Sequence, residues 1–212
     1  MHKNPLGAPE TIPGSVSETL EYWSSLGNFI DAFASVETAL QITLWHYAKV
    51  PEKMARALLS GATRVDTASG LLRRVIEVRK LRRIVRTDLI EVLDQLGAIA
   101  KVRNDLVHLG TMTTPKARMT TNAYLAVDRK RLRKTPISPR ILNDMTLDLL
   151  KIGVHLTVRH FRRGRIRKLG DVQKTLLDAA WQYKRPSQQK SEREKGAIRQ
   201  HHKPRPKPPG QP

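Results

Sequence analysis

The sequence contains no cysteine and few aromatic residues. The absence of cysteine among 212 residues excludes disulfide bonds, thiolate nucleophiles and zinc sites built on sulfur. It is typical of proteins in a reducing compartment, so we expect a cytoplasmic protein. Aromatic residues make up 5% of the chain and do not cluster within its basic runs, which argues against sequence-specific recognition of single strands by base stacking. No apolar run approaches the roughly 20 residues needed to span a bilayer, so we expect no membrane partner.

Acidic residues are scarce relative to basic ones. The chain carries 39 lysine and arginine residues against 19 aspartate and glutamate residues, a net charge of +20. Such an excess favours binding to a polyanion, most often a nucleic acid. From Arg159 to the end there are 16 basic and 4 acidic residues, so this last quarter of the chain carries +12 of the net charge.

Periodic apolar residues predict helices along most of the chain up to about residue 160. The spacing of Ser15 and Glu18 is that of a capping box, and the apolar period through Trp23 and Ile30 predicts a first helix that ends near Val50. A serine and a proline at 138 and 139 have the pattern of a helix cap and first turn. Further helices are therefore predicted at about 51–61, 66–84, 87–109 and from 139 onward.

The pattern changes after Gly110. The following stretch is rich in threonine and basic residues, and RMTTNAYLAV at 118–127 predicts one or two short strands. We therefore predict a mainly α fold, an up-down helical bundle with a small irregular or β insertion after the fourth helix. The predicted organisation is an irregular leader at 1–14, a helical domain at 15–163, a basic segment with a short helix at 164–183, and a disordered, basic, proline-rich tail at 184–212.

Two charged residues fall within helix faces that should be buried. A helix turns about 100° per residue, which places Arg103 within about 40° of Leu96 and Val107 in the apolar arc of the fourth helix. Glu37 lies in the apolar arc of the first helix, close to Phe33. Because a lone buried charge is very costly, we expect Glu37 and Arg103 to pair between the two helices. A carboxylate can also orient an arginine toward a phosphate, so both a structural and a functional interpretation of Arg103 stay open.

The residues after Arg103 include three groups that can act on a phosphodiester. Asn104 and Asp105 precede His108 by four and three positions, so they lie near it on the helix surface. Asp105 could hold one imidazole nitrogen of His108 and leave the other free to move a proton. His108 lies about 140° around the helix from Arg103, so the two side chains should diverge unless the helix end unwinds at Gly110 or a second copy faces the first. The second case favours a homodimer. A histidine at this position is also explained by the helix dipole alone.

The segment Arg103–His108 resembles the motif of the HEPN superfamily, in which an arginine, a polar residue and three variable residues precede a histidine. The setting is similar too, because the motif closes a long helix and an earlier helix carries Glu37, and the resemblance covers roughly residues 15–160. The resemblance implies a metal-independent ribonuclease that acts as a dimer, as a toxin or in abortive infection and other antiviral defence. It assigns Arg103 and His108 as the catalytic pair, with Asn104 in support. Other HEPN proteins have no nuclease activity and bind RNA or a protein partner, which is the alternative.

An antitoxin or an activator would be a further partner of such a protein. In the HEPN toxins that are neutralised by a nucleotidyltransferase, a tyrosine stands two residues after the histidine, where this chain has Gly110. Modification of that tyrosine is therefore not expected here.

The chemistry expected of the motif needs no cofactor. RNA supplies its own nucleophile, the 2′-hydroxyl, and His108 can take its proton or protonate the leaving oxygen. Arg103 can stabilise the charge that develops on the phosphate. We therefore expect no metal and no other cofactor, with cleavage that leaves a 2′,3′-cyclic phosphate and spares DNA.

A second expected RNA contact is the basic run at residues 73–86. It carries 7 basic residues and 1 acidic residue. It predicts a phosphate-binding surface that guides RNA to the site, and the alternative is a solvated helix face. A second basic run, DRKRLRK at 128–134, allows the same two interpretations. The predicted RNA-binding residues are Arg73, Arg74, Arg79, Lys80, Arg82, Arg83 and Arg86.

Overall fold

A computed structural model describes most of the helical part of the chain, at residues 16–59, 64–113, 118–122, 134–159 and 170–184. The predicted leader at 1–14, the basic run at 128–133 and the tail from 185 onward lie outside the described residues. The chain divides into two units after Gln182, and every helix and strand described below belongs to the first unit.

The described residues form a mainly helical fold with a small sheet, as the sequence predicts. None of these helices combines the length and the apolar character needed to cross a bilayer. A π-helical turn at His155–Arg159 extends the fifth helix. The helices are α1 (Val16–Ala48), α2 (Glu52–Leu59), α3 (Val65–Val78), α4 (Arg83–Leu109), α5 (Pro139–Val154) and α6 (Asp171–Asp178).

The core lies between the facing sides of α1, α3, α4 and α5. α5 runs antiparallel to α4, because Asp88 contacts His155 near the start of α4 while Gln95 bonds to Asp148 two turns later. The alternation of apolar residues at helical spacing gives each helix one buried face. The largest fully buried side chains are Phe29, Leu40, Leu72, Ile76, Leu89, Leu93, Leu96, Ile99, Leu142, Met145, Leu149 and Ile152.

The boundary between α3 and α4 differs from the prediction. α3 ends at Val78 rather than near residue 84, and α4 begins at Arg83 rather than near residue 87. The chain reverses at Lys80, whose φ of 46° is in the left-handed region. Val78 lies at the end of α3, where it is 82% exposed.

One face of α1 carries exposed apolar residues. Trp23 and Ile30, which belong to the apolar period that predicts this helix, are 56% and 38% exposed. Together with Val16 and Leu20, at 78% and 64% exposure, they form a stripe opposite the buried face that carries Phe29. We call these four residues the α1 stripe.

The segment after α4 forms a three-stranded antiparallel sheet in the order β1-β2-β3. The strands are β1 (Met112–Thr113), β2 (Arg118–Thr121) and β3 (Lys134–Pro136), so the predicted strand within 118–127 is confirmed. Ser138 then caps α5, since its hydroxyl accepts from the Ile141 amide at 3.2 Å, and Pro139 is the first helical residue. The predicted start of α5 is therefore confirmed.

A buried polar cluster fastens the segment after α6, residues 179–182, to α4 and α5; we call this segment the strap. Asp148, which is 1% exposed, accepts from Gln95 Nε2 at 2.7 Å and from the Gln182 backbone amide at 2.8 Å. The indole of Trp181 donates to Glu91 at 2.6 Å, and the ammonium of Lys151 lies 4.3 Å from the centroid of the same ring. Hydrogen bonds within this cluster compensate for the burial of its charges. Removal of one partner should therefore lower the free energy of unfolding.

Candidate functional site

The motif lies at the C-terminal end of α4. The helix ends at Leu109, and Gly110 follows with φ 65° and ψ −165°, a conformation that glycine adopts without steric cost. The Gly110 amide donates to the Leu106 carbonyl at 3.2 Å. The helix therefore stays regular through His108 and does not unwind before it.

Arg103 is half-buried and held on two sides. Its guanidinium carbon lies 5.2 Å from the centroid of the Phe33 ring, and its Nη1 donates to Asn104 Oδ1 at 3.2 Å. Its Nε is buried and has no hydrogen-bond partner among the described residues. The guanidinium is thus positioned against α1 but keeps unused hydrogen-bonding capacity.

A cleft of about 640 Å³ lies beside Arg103. The end of α4 forms one wall, the middle of α1 another, and the start of α3 a third. Asn104 and His108 line this cleft with Arg103, so the structure brings all three motif residues to one cavity. The remaining lining residues are Phe33, Ala34, Glu37, Thr38, Gln41, Arg64, Val65, Asp66 and Ala100.

Five polar side chains in the cleft have no polar partner in the described part of the chain. Within the described residues, no hydrogen bond or ion pair involves the side chains of Glu37, Gln41, Arg64, Asp66 or His108. Glu37 and Gln41 are half-buried on α1, whereas the other three are exposed at the rim. A cleft with cations, carboxylates and an amide that are not engaged with one another can hydrogen-bond to a polar, charged ligand.

The predicted ion pair between Glu37 and Arg103 is not formed. Both side chains line the cleft and both are half-buried, but no ion pair joins them in the described structure. The reason is that Arg103 packs on Phe33 and bonds to its neighbour Asn104, while water can reach part of each charge. The desolvation cost that would force pairing is therefore smaller than for a fully buried charge.

Arg103 and His108 line the same cleft although they are separated by about 140° around the helix axis. An arginine side chain is long, and here it lies back across Phe33, so it reaches the same cleft as the exposed imidazole of His108. Asp105, expected to orient His108, is half-buried and does not line the cleft. Within one chain, the cleft therefore joins Arg103, Asn104 and His108 but not Asp105.

The predicted RNA-binding run lies at the opposite end of α4. Arg83 is 20 residues before Arg103, a separation of about 30 Å along the helix. Arg73 is paired with Asp94 at 2.8 Å, and Arg79 donates to the Ala48 carbonyl at 3.1 Å, so these two have structural partners. Arg74, Lys80, Arg82, Arg83 and Arg86 are exposed around the turn between α3 and α4.

Sequence reasoning missed Arg64 and Gln41. Arg64 immediately precedes α3, in a segment where the sequence shows no motif, and only the packing of α3 on α1 brings it to the cleft. Gln41 follows Glu37 by four residues, so helical spacing alone could have placed it beside Glu37.

No group of three or more histidine, aspartate or glutamate side chains in the described part of the chain is arranged to hold a metal ion. The site as described consists of protein side chains around one polar cleft. No known protein family, curated protein or solved structure matches the chain.

Proposed function

We propose that this protein is a metal-independent endoribonuclease of HEPN type, acting as a toxin or an antiviral defence effector. The observation that carries the proposal is the cleft in which Arg103, Asn104 and His108 meet, with Arg64 on the facing wall. The motif identifies Arg103, Asn104 and His108, and the packing of α1 and α3 on α4 adds that all three line a polar cleft together with Arg64.

The cleft residues have separate roles in the proposed reaction. Arg103 and Arg64 bind the scissile phosphate from two walls, and Arg103 stabilises the charge of the transition state. His108 is exposed to the cleft and moves the proton of the 2′-hydroxyl or of the leaving oxygen. Asn104 positions the guanidinium of Arg103 through its 3.2 Å hydrogen bond.

The test is RNA cleavage by the purified protein with and without a chelator. We expect single-stranded RNA to be cut in EDTA, with 2′,3′-cyclic phosphate ends by mass spectrometry, while DNA of the same sequence stays intact. His108→Ala should abolish cleavage, and His46→Ala, an exposed histidine outside the cleft, should not. Equal cleavage by His108→Ala and the parent would refute the assignment.

The biological role can be tested by induced expression in cells. A toxin should arrest growth, and His108→Ala should relieve the arrest at equal protein levels. Relief by co-expression of a neighbouring gene would identify an antitoxin, whereas arrest that needs a further signal would indicate an activator.

The second candidate is a catalytically inactive HEPN module that binds RNA or a protein partner. The α1 stripe favours an interaction role, because four large apolar side chains in line are unusual on a surface without a partner. This candidate would be favoured if the protein binds RNA without cleaving it and if His108→Ala leaves the RNA affinity unchanged.

The proposed homodimer would use the α1 stripe. The stripe extends for about 21 Å from Val16 to Ile30 and leads to Ala34 at the edge of the cleft, so a second copy would lie next to the site. α1 has four acidic residues and no lysine or arginine, so two copies would bring like charges together and added salt should strengthen the dimer. Trp23→Glu should give a monomer by sedimentation.

Mixing two inactive variants tests whether the site is composite. If each site takes Arg103 from one copy and His108 from the other, a mixture of Arg103→Met and His108→Ala should recover activity. If both residues come from one chain, as the shared cleft favours, the mixture should stay inactive.

A further inference from the structure

The carboxylate of Glu37, which has no partner among the described residues, is the least expected feature of a cleft proposed to bind RNA. Glu37 is half-buried, it lines the same cavity as Arg103, and within the described residues it has no hydrogen-bond or ion-pair partner. A carboxylate next to a bound phosphate would repel it, and more strongly where water is partly excluded. If the phosphate binds at Arg103, Glu37 must therefore face an uncharged part of the nucleotide that can donate hydrogen bonds.

Gln41 extends this surface by one helical turn. It lies four residues after Glu37 on α1, is half-buried in the same cleft, and its amide is also unpaired among the described residues. α1 thus presents two adjacent polar groups to the inner part of the cleft. The carboxylate of Glu37 only accepts hydrogen bonds, whereas the amide of Gln41 can donate as well as accept them.

The edges of the four RNA bases differ in how well they match this pair. Guanine offers two neighbouring donors, N1–H and the N2 amino group, next to an acceptor, O6. Uracil offers a single N3–H donor, and the amino groups of adenine and cytosine stand beside ring nitrogens that accept. Only guanine can donate twice to one carboxylate and still accept from an adjacent amide. Single-stranded bases are read on these edges when they are splayed into a protein cleft.

We propose that the cleft binds a guanine base, with Glu37 accepting from N1–H and N2–H and Gln41 donating to O6. The phosphate of the same nucleotide then lies toward Arg103 and Arg64. The inference rests on the proposed RNA-binding role of this cleft and adds a base preference to it. The volume of about 640 Å³ accommodates a base together with its ribose and phosphate.

Asp66 provides a matched control for Glu37. Asp66 lines the same cleft and is also unpaired in the described structure, but it is exposed at the rim beside the start of α3. Asp66→Asn and Glu37→Gln remove the same charge from the same cleft. A general electrostatic effect should change the affinity for all four nucleotides alike in either variant, whereas the preference for guanine should be lost only in Glu37→Gln.

The experiment is calorimetric titration of His108→Ala protein with the 3′- and 5′-monophosphates of the four nucleosides, and with inorganic phosphate. We expect a guanosine monophosphate to bind about 5- to 150-fold more tightly than the other three, as for one good bidentate base contact. Glu37→Gln should remove that preference, and Asp66→Asn should keep it. If Glu37→Gln does not fold by circular dichroism, Gln41→Leu, which should reduce the preference, replaces it.

Two results would overturn the proposal: equal affinity for all four nucleotides, or a guanine preference that survives both Glu37→Gln and Gln41→Leu. Because binding is measured in a variant that lacks His108, the result does not depend on cleavage. RNA cleavage without guanine preference would refute this inference alone, and guanine-selective binding by a protein that never cleaves RNA would refute the proposed nuclease alone.

Discussion

Replacement of Arg103 by methionine separates a structural role of this residue from a functional one. Methionine keeps much of the length of arginine and can still pack on Phe33, but it carries no charge and no donor. The variant loses the contact of the guanidinium with the Phe33 ring at 5.2 Å and the 3.2 Å hydrogen bond to Asn104. It also removes a buried Nε that has no partner among the described residues.

The opposing contributions to the free energy of unfolding nearly cancel. A cation–π contact at a partly exposed site stabilises by about 0.5–1 kcal/mol. The hydrogen bond from the charged guanidinium to Asn104 adds about 1.5–3 kcal/mol, whereas a buried unsatisfied donor costs about 1–3 kcal/mol. Arg103→Met should therefore lower the free energy of unfolding by about 1 kcal/mol, which is a shift in Tm of about 2–4 °C for a domain of this size.

The assay is urea unfolding of the parent and the variant, with RNA cleavage measured in parallel. Cleavage should fall by about 100-fold or more, as for the loss of a group that stabilises transition-state charge. Lys101→Met, an exposed position on the same helix outside the cleft, should change neither quantity. A loss of more than about 3 kcal/mol on Arg103→Met would refute the reasoning, because only a buried charge pair is that sensitive to removal of one partner.

Three further predictions concern the strap, the end of α4 and the basic turn. Asp148→Ala should lower the free energy of unfolding, measured with urea, by about 2–4 kcal/mol, because two part-buried donors to this buried carboxylate lose their acceptor. Gly110→Ala should destabilise by about 1–3 kcal/mol because φ is positive there, whereas Gly27→Ala, inside α1 with open space around it, should stabilise by about 0.5–1 kcal/mol. Arg82→Glu with Arg83→Glu should slow cleavage of long RNA but not of a dinucleotide, because about 30 Å separates them from Arg103.

The helices could be predicted where local chemistry specifies them. The cap at Ser138 with Pro139 and the glycine after Leu109 satisfy backbone groups at helix ends, and the structure uses both. The end of α3 could not be predicted, since basic residues with helical propensity continue through the turn at Lys80. That turn exists because α3 and α4 must lie side by side to bury their apolar faces, which is a tertiary requirement.

The difference between what local sequence specifies and what tertiary packing decides also explains why the α1 stripe faces outward. Trp23 and Ile30 share the helical period of the core residues, and periodicity assigns a residue to a face without saying what covers that face. α5 and α3 cover the opposite side of α1, so the stripe is left without a partner in the described chain. α1 is therefore apolar on two sides, and the described helices cover one of them.

The site could be predicted in its residues but not in its geometry. Angular spacing gives the direction of a Cβ atom, and for Arg103 and His108 this direction differs by about 140°. Both residues nevertheless line one cleft, because the long side chain of Arg103 packs on Phe33 and the exposed His108 lies at the rim. The facing wall, with Glu37, Gln41 and Arg64, depends on how α1 and α3 pack and has no signature along the chain. The motif therefore indicates which groups could act on a phosphate, and the packing of three helices determines what else the ligand would contact.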